Sequence, residues 1–293
     1  MTTIEERYDA SATAYRRWWE PVLAPAALEL LERLERDGGE PTGRLLDVGT
    51  GAGELAIAAA RRWPRLEVHG LDGSAAMLTV AEAAAAETVE EAAEEGLGPR
   101  GRPAAGSAAR PGIAWLRGHA ERLPFDDASF DVVISSFVYQ LVPRLSVALR
   151  EALRVLRPGG RFGLVTWRVG DQRFGPDEAF EDALDDLDLE FDGDAAEEAR
   201  AGDLASAGAT ATRLRRLGFR SVSADEAWLE HQYDPAGYLD FLEGYAERET
   251  FAGLEPAVRL QLRDLTAARL ARLKAEDFRW RVPIVYARAR RPR

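Results

Sequence analysis

The chain has 293 residues, of which 46% are hydrophobic, and it carries a formal net charge of −12. This length and apolar content can bury a substantial core, as one elaborated domain or as a domain with a small cap. The negative charge would repel a phosphate backbone, and the absence of cysteine excludes disulfides, thiolate metal sites and a cysteine nucleophile. We therefore expect a small-molecule partner, no nucleic acid and no metal.

Residues 1–42 are predicted to form a helical segment ahead of the core. Its first residues are polar and show no signal-peptide pattern, and the chain has no uninterrupted apolar run of the length that a membrane span needs. A cytoplasmic location is the expectation. Tyr8, Tyr15 and Trp19 make the segment rich in aromatic rings, which can cover a ligand or anchor the segment on the core.

Strand-like and helix-like apolar segments alternate from residue 43 onward. This alternation is typical of an α/β domain with a largely parallel sheet. Residues 96–112 are rich in Gly, Pro, Ala and Arg, which predicts a surface loop. The predicted strands cover residues 43–48, 66–71, 113–116, 130–135 and 161–167, and the predicted helices cover 53–62, 75–95 and 145–156.

The segment that follows the fifth predicted strand is strongly acidic. In residues 171–200, Phe180, Leu184, Leu187 and Phe191 recur at helical spacing, which predicts an amphipathic helix. This helix is a lid over the strand ends or, equally well, a solvated surface helix. Further helices are predicted at 209–217, 235–248 and 256–275, and further strands from 218–222 onward and at 282–289.

Residues 45–55 read LLDVGTGAGEL, a short apolar strand that ends in an acid and continues into three alternate glycines. Glycines permit a tight strand-to-helix turn and let a ligand approach the backbone. A dinucleotide-binding turn would carry its third glycine where this chain has Glu54, which counts against NAD or FAD. The pattern of Asp47, Gly49, Gly51 and Gly53 instead resembles the first motif of class I S-adenosylmethionine-dependent methyltransferases.

Two further segments strengthen this resemblance. Residues 68–78 look like the second motif of the family, whose acid, here Asp72, accepts hydrogen bonds from both ribose hydroxyls, as a bidentate carboxylate can. Residues 118–131 are similar to the family's Gly-Asp-Ala-x-x-Leu-Pro-Phe-x-x-x-Ser-Phe-Asp signature. The chain departs from that signature at His119, which can still hydrogen-bond or stack on adenine.

The resemblance implies that S-adenosylmethionine is the cofactor. The glycine loop would hold its methionine end. Phe137, Tyr139 and Gln140, which follow the fourth predicted strand, would face the cofactor or the acceptor pocket. In related enzymes the amino-terminal segment folds over the cofactor. The residues expected to bind it are Asp47, Gly49, Thr50, Gly51, Gly53, Asp72, Gly73, Met77, His119, Ala120, Glu121, Ser135 and Tyr15.

The implied architecture is a Rossmann-like methyltransferase fold, a mostly parallel seven-stranded sheet with helices on both faces and a small helical cap. Its parts would be the amino-terminal segment, a cofactor-binding core at residues 43–168, an acidic helical insertion at 169–205 and a completion of the sheet at 206–293. The oligomeric state stays open.

The Leu-Pro-Phe signature resembles the methyltransferase type 11 enzymes of ubiquinone and menaquinone biosynthesis, and also many natural-product methyltransferases. The implied reaction is in-line transfer of a methyl group to an oxygen, nitrogen or carbon atom of a small molecule. His231 and Tyr139 are the candidates for a general base. Two alternatives stay open, a nicotinamide-dependent oxidoreductase and a protein that binds S-adenosylmethionine without catalysis.

Overall fold

The strands form one sheet in the structure, a computed structural model that describes residues 3–94, 112–168, 170, 173–189 and 204–293. Across the sheet their order is β3-β2-β1-β4-β5-β7-β6, with β1 to β5 parallel and β7 antiparallel to both of its neighbours. This sheet confirms the expected fold class. The strands are β1 (Gly43–Val48), β2 (Leu66–Asp72), β3 (Ala114–Arg117), β4 (Phe130–Ser136), β5 (Leu156–Trp167), β6 (Arg220–Gln232) and β7 (Arg279–Arg290).

Helices cover both faces of the sheet and build a cap at one end. Two segments are π-helical, Tyr15–Trp19 and Leu242–Ala246, a rare conformation that is frequent at functional sites. Within the described ranges, no helix is long and apolar enough to cross a membrane. The α-helices are α1 (Ile4–Ala14), α2 (Glu20–Gly38), α3 (Glu54–Arg62), α4 (Ala75–Glu94), α5 (Leu145–Val155), α6 (Gly175–Asp185), α7 (Ala207–Arg216), α8 (Pro235–Phe241), α9 (Arg248–Gly253) and α10 (Pro256–Leu270).

The core has a layer on each face of the sheet. Successive strand residues point to opposite faces, so Leu45 packs in the layer under α2 and α3, while Leu46 packs in the layer under α5 and α7. In β5, Val165 likewise packs in the layer under α2 and α3, and Leu164 packs in the layer under α5 and α7. Burial on both faces explains why these strands are almost continuously apolar.

A third apolar cluster forms the helical cap, and α6 contributes Phe180 and Leu184 to it. The predicted acidic helix is therefore a packed element whose apolar stripe is buried. It ends earlier than expected, because Asp188 adopts a left-handed φ of 51° and the chain turns there. Phe191 lies outside the described residues, as do residues 96–111 of the predicted loop.

The carboxyl-terminal strands are longer than the sequence pattern indicates. β6 pairs with β7 from Arg220 opposite Arg290 to Gln232 opposite Arg279, so the sheet continues well beyond residue 222. β5 begins at Leu156 opposite Phe130, before an irregularity in the pairing. The predicted helix over 235–248 is instead α8, a π-helical segment and the start of α9.

Candidate functional site

The glycine loop connects β1 to α3 along a path that only glycine can follow. Gly49, with a φ of 71°, lies so close to Val138 that a Cβ atom would come within 2.3 Å of its Cγ2. Gly53, with a φ of 95°, packs against Ala81 and Trp115. The glycines therefore shape the loop and let neighbouring elements approach its backbone.

The amide groups of this loop already donate within the protein. The N–H groups of Gly49 and Thr50 donate to the carbonyl of Leu71 at 2.7 and 3.0 Å. The N–H of Gly51 donates to Oδ2 of Asp72 at 2.9 Å. Phosphate-binding loops need such groups free to face the ligand, so this loop lacks donors that a pyrophosphate would require.

Asp72 ends β2 and joins the loop to the start of α4. Its Oδ1 accepts from the N–H of Ser74 at 2.9 Å, in addition to the bond from Gly51 to Oδ2. Burial raises the pKa of this carboxyl. Each carboxylate oxygen has two lone pairs, so the side chain keeps acceptor capacity for a diol.

Asp47 lies at the floor of the site and is 1% exposed. Its Oδ2 accepts from Oγ1 of Thr50 at 2.7 Å, while Oδ1 has no hydrogen-bond partner in the described part of the chain. Burial, and to a smaller extent the charge of Asp72, raises the pKa of Asp47 to about 7, although the hydrogen bond from Thr50 lowers it. A buried, half-satisfied carboxyl of this kind is suited to a ligand that brings a donor or a positive charge.

These residues line a cavity that encloses about 1130 Å³, including open solvent at its mouth. The described lining residues include no lysine or arginine. This charge distribution favours a cationic ligand over an anionic one. The acids that line the cavity are Glu5, Glu20, Asp47, Glu54, Asp72 and Glu121.

Glu20 was not expected from the sequence. It lies on α2, whose lining residues Glu20, Leu23, Ala24 and Ala27 follow helical spacing on one face. Burial raises the pKa of Glu20 to about 7, the charge of Glu54 raises it, and Arg16 and a hydrogen bond from the backbone of Glu54 lower it. The Glu20 carboxyl thus lines the cavity near Glu54, the first residue of α3.

Helix α1 closes the cavity opposite β2. Its Asp9 accepts through Oδ1 from Oγ of Ser74 at 2.6 Å and from the N–H of Ala76 at 3.0 Å, which attaches α1 to the start of α4. Oε1 of Glu5 lies 3.4 Å from Nδ1 of His119, across the mouth of the cavity. The amino-terminal segment is therefore part of the cavity wall.

The structure brings together most of the residues expected to bind the cofactor. Gly53 and Ser135 lie outside the cavity: Gly53 packs under the loop, and Oγ of Ser135 donates to the carbonyl of Val48 at 2.8 Å. The expected residues that line the cavity are Tyr15, Asp47, Gly49, Thr50, Gly51, Asp72, Gly73, Met77, His119, Ala120 and Glu121.

Neither of the expected general-base candidates lines the cavity. Tyr139 is buried below the loop, its hydroxyl has no partner among the described residues, and burial raises its pKa, so it is a neutral phenol. His231 lies on β6, where its ring packs edge-on against Tyr233 with 4.4 Å between ring centroids. Whether a tyrosine or a histidine faces the cavity depends on the direction of its strand or loop, which the residue type does not reveal.

Phe137, which directly follows β4, lines the cavity in a strained backbone conformation. Its φ is 53°, rare for a bulky residue, and its N–H donates to the carbonyl of Val165 at 2.9 Å. Its ring centroid lies 4.2 Å from that of Trp167. Phe137 thus contributes its ring to the cavity wall. The expectation that Gln140 faces the cavity is wrong, because its side chain is buried and donates through Nε2 to the carbonyl of Phe137 at 2.6 Å.

A cluster of aromatic rings continues behind Phe137 and connects the two π-helical segments. Trp19 lies 6.4 Å from Trp167 and 6.2 Å from Tyr245, measured between ring centroids. Trp18 rests on Gly244 so closely that a Cβ atom there would lie 2.6 Å from the indole Nε1. The amino-terminal segment and the cap therefore pack directly on each other beside the site.

Comparison with known proteins gives this arrangement a family context. A family model described as a methyltransferase domain matches residues 46–164. The chain is 40% identical over 169 residues to the ubiquinone/menaquinone biosynthesis C-methyltransferase UbiE of Dinoroseobacter shibae, which covers 55% of this chain and 54% of that protein. It is 34% identical over 143 residues to the demethylmenaquinone methyltransferase of Chlorobaculum tepidum, covering 49% and 46%. The chain thus spans about half the length of these curated relatives.

A solved structure shows the same fold over the whole chain. It is phosphoethanolamine N-methyltransferase 2 of Haemonchus contortus in complex with phosphomonomethylethanolamine and S-adenosylhomocysteine, with a TM-score of 0.52. The match covers 100% of this chain and 61% of that one, at 20% identity. At this identity the likeness concerns the fold alone.

Proposed function

We propose that the protein is a class I methyltransferase that transfers a methyl group from S-adenosylmethionine to a small molecule, a proposal that the match of residues 46–164 to a methyltransferase domain supports. The acidic cavity is the observation that carries this proposal. S-adenosylmethionine carries a sulfonium and an ammonium group, and six carboxylates without a lining lysine or arginine suit such a cation.

The same observation disfavours a nicotinamide dinucleotide. Its pyrophosphate would bind at the amino terminus of α3, where the Glu20 carboxylate already lies beside Glu54. The N–H groups of Gly49, Thr50 and Gly51 are also engaged within the protein. An anion at this position would meet two carboxylates and no free loop donors among those three.

Named residues of the cavity fit each part of the proposed cofactor. Asp72 would accept from the ribose hydroxyls, and His119 with the backbone of Ala120 would contact adenine. Asp47 would face the methionine end with its unpartnered Oδ1. When bound, S-adenosylmethionine supplies an electrophilic methyl group on a sulfonium.

The contribution of the chain to the reaction is mainly positioning. Well-oriented intramolecular reactions reach effective molarities of about 10⁵ to 10⁸ M, so a rigid cavity can supply much of the acceleration. Phe137, fixed by strain and by Trp167, would orient the acceptor against the methyl group. Tyr139 and His231 do not line the cavity, so we assign the role of general base to neither residue.

For the acceptor, we propose a carbon atom of a reduced quinone precursor as the first class to test. The names of both curated relatives support a quinone precursor, and the name of the first supports a carbon atom. The ring of Phe137, which lines the cavity and is backed by Trp167, is suited to a flat acceptor. Natural products with a similar ring are the second class. A cytoplasmic location remains a prediction from the polar amino terminus.

Calorimetry against S-adenosylmethionine, S-adenosylhomocysteine and NADH tests the cofactor. We expect binding of both sulfur compounds and none of NADH, whereas NADH binding alone would overturn the proposal. Incubation with methyl-labelled cofactor and a panel of benzoquinols and naphthoquinols, with mass detection of the product, tests the reaction. Cofactor binding without transfer to any acceptor of the two classes would favour a non-catalytic binding protein.

A further inference from the structure

Glu20 connects the amino-terminal helices to the glycine loop in a way that the family motifs do not describe. We propose that Glu20 binds the α-ammonium group of the methionine moiety of S-adenosylmethionine and selects a cofactor that carries this ammonium group. This inference rests on the proposed function and assigns a role to one further residue of the same cavity.

The first argument is the unbalanced charge of Glu20. Among the described residues it forms no ion pair, because the nearby Arg16 pairs with Glu87 instead, at 2.5 Å. Besides burial, the like charge of the nearby Glu54 side chain raises the pKa of Glu20. A partly buried carboxylate beside another acid is unfavourable unless a cation arrives.

The second argument comes independently from Asp47. Its Oδ1 is buried, faces the same cavity and has no partner within the described ranges. Thr50 already satisfies Oδ2, so the free oxygen is available to a donor from the ligand. Both carboxyls line the wall of one cavity, so its methionine end is an acidic environment, and an ammonium group, with three N–H donors and a charge, suits such an environment.

A merely structural role for Glu20 would be that of a cap on α3. Gly53, at the cap position of α3, has no side chain that could accept from the free N–H groups of the helix. Glu20 could cap the helix instead by accepting from the backbone N–H of Glu54. Glutamine keeps that acceptor oxygen and removes the charge. Glu20→Gln therefore preserves the cap and removes the proposed ammonium ligand.

The experiment measures affinities of the wild-type protein and Glu20→Gln for S-adenosylmethionine, S-adenosylhomocysteine and 5′-methylthioadenosine. The last compound keeps the nucleoside and sulfur but has no amino-acid end. We expect binding of the first two to weaken roughly 10- to 100-fold, the usual value of a hydrogen bond to a charged group, and binding of 5′-methylthioadenosine to stay within about twofold. Because S-adenosylhomocysteine has no sulfonium, its loss of affinity isolates the ammonium contact.

Glu32→Gln is the matched control, since it removes the same charge from an exposed position on α2. Thermal unfolding without ligand completes the test. We expect Glu20→Gln to melt at the wild-type temperature or above at pH 8, because a buried charge is removed. Glu20→Asp, which keeps the charge but shortens its reach, should lose affinity for the two amino-acid ligands to an intermediate extent.

Unchanged affinity of Glu20→Gln for S-adenosylhomocysteine would overturn the proposal. Equal loss for all three ligands with a lower melting temperature would also overturn it, in favour of the structural role. If the wild-type protein fails to bind S-adenosylmethionine, the proposed function itself is wrong, which these variants distinguish from a wrong role for Glu20.

Discussion

Asp72 combines two tasks in one side chain. It holds the glycine loop through the N–H of Gly51 and the start of α4 through the N–H of Ser74. Its remaining lone pairs face the cavity, so the acceptor that positions the loop also faces the ligand. The geometry of the loop and the affinity for a ribose are therefore coupled at this residue.

We predict that Asp72→Asn weakens binding of S-adenosylmethionine and S-adenosylhomocysteine equally, by about 10- to 100-fold. The amide nitrogen must face either a backbone N–H or the ligand, and it is a donor in both places. Calorimetry measures the affinities, and thermal unfolding should show a loss of about 1 to 3 kcal/mol for the unsatisfied donor. Asp126→Asn, at an exposed position, is the control; wild-type affinity of Asp72→Asn would contradict the prediction.

The two carboxyls with a raised pKa make a pH dependence predictable. Asp47 and Glu20 both have a pKa of about 7, above their ordinary values of 3.8 and 4.5. A carboxyl with a raised pKa in the folded state contributes stability below its ordinary pKa, and that contribution is lost as pH rises through the folded pKa. The ligand-free protein should therefore melt at a lower temperature at pH 8 than at pH 6.

Binding should show the opposite trend. A cationic ligand requires both carboxyls ionised, so affinity for S-adenosylmethionine should rise from pH 6 to pH 8, by up to about tenfold for each carboxyl. Asp72 faces Asp47, and Glu54 and Arg16 face Glu20, so their charges enter the same profile. Calorimetry at several pH values gives the slope, which Glu20→Gln should reduce; a flat wild-type profile would show that these groups do not titrate with binding.

At the scale of elements, the two π-helical segments contact each other, and this contact helps to hold the amino-terminal segment against the cap. Trp18 lies against Gly244, and Tyr15 of the same segment lines the cavity beside Gly51. A displacement of Trp18 therefore reaches the ligand site through a few residues of helix. The cap is thus coupled to the cavity wall through the segment Tyr15–Trp19.

We predict that Gly244→Ala destabilises the protein by about 1 to 3 kcal/mol, the usual cost of an overpacked contact, and weakens cofactor binding. The new methyl group would lie 2.6 Å from the indole of Trp18. Gly253→Ala is the matched control, since a Cβ atom there meets nothing within 4 Å. Denaturant unfolding and calorimetry give the two readouts, and equal stability of the two variants would disprove the clash.

Local sequence patterns predicted those elements whose signal lies within a few residues. The strand, glycine turn and helix around Asp47 and the acid at Asp72 are of this kind, and both acids line the cavity. Glu20 was missed because its role arises only when α2 packs against the start of α3, far along the chain. The π-helical segments were missed because local sequence patterns do not signal them, and the contact of Trp18 with Gly244 joins residues far apart in the chain.

At the scale of the whole molecule, one sheet joins the family-matched region to the rest of the chain. β5 pairs with β7 along residues 161–167, and Tyr286 of β7 donates to the carbonyl of Ala26 on α2 at 3.0 Å. Ile284 and Tyr286 also fill the apolar layer under α2. The predicted core at residues 43–168 therefore shares its sheet and its packing with the segment that follows it.

We predict that a chain truncated after residue 168 neither folds cooperatively nor binds S-adenosylhomocysteine. β5 would become an open edge and the layer under α2 would lose its β7 side chains. Expression, circular dichroism and calorimetry test this, with deletion of residues 292–293 as the control. A soluble fragment with a cooperative melting transition would show that the core is independent.

The packing of Trp18 on Gly244 also has a consequence for biosynthesis. Residues 15–19 leave the ribosome early, but their partner segment follows more than two hundred residues later. The wall formed by α1 and Tyr15 cannot settle until the segment around Gly244 has been synthesised, although the glycine loop is made early. We therefore expect nascent chains to acquire ligand affinity only after this segment has left the ribosome.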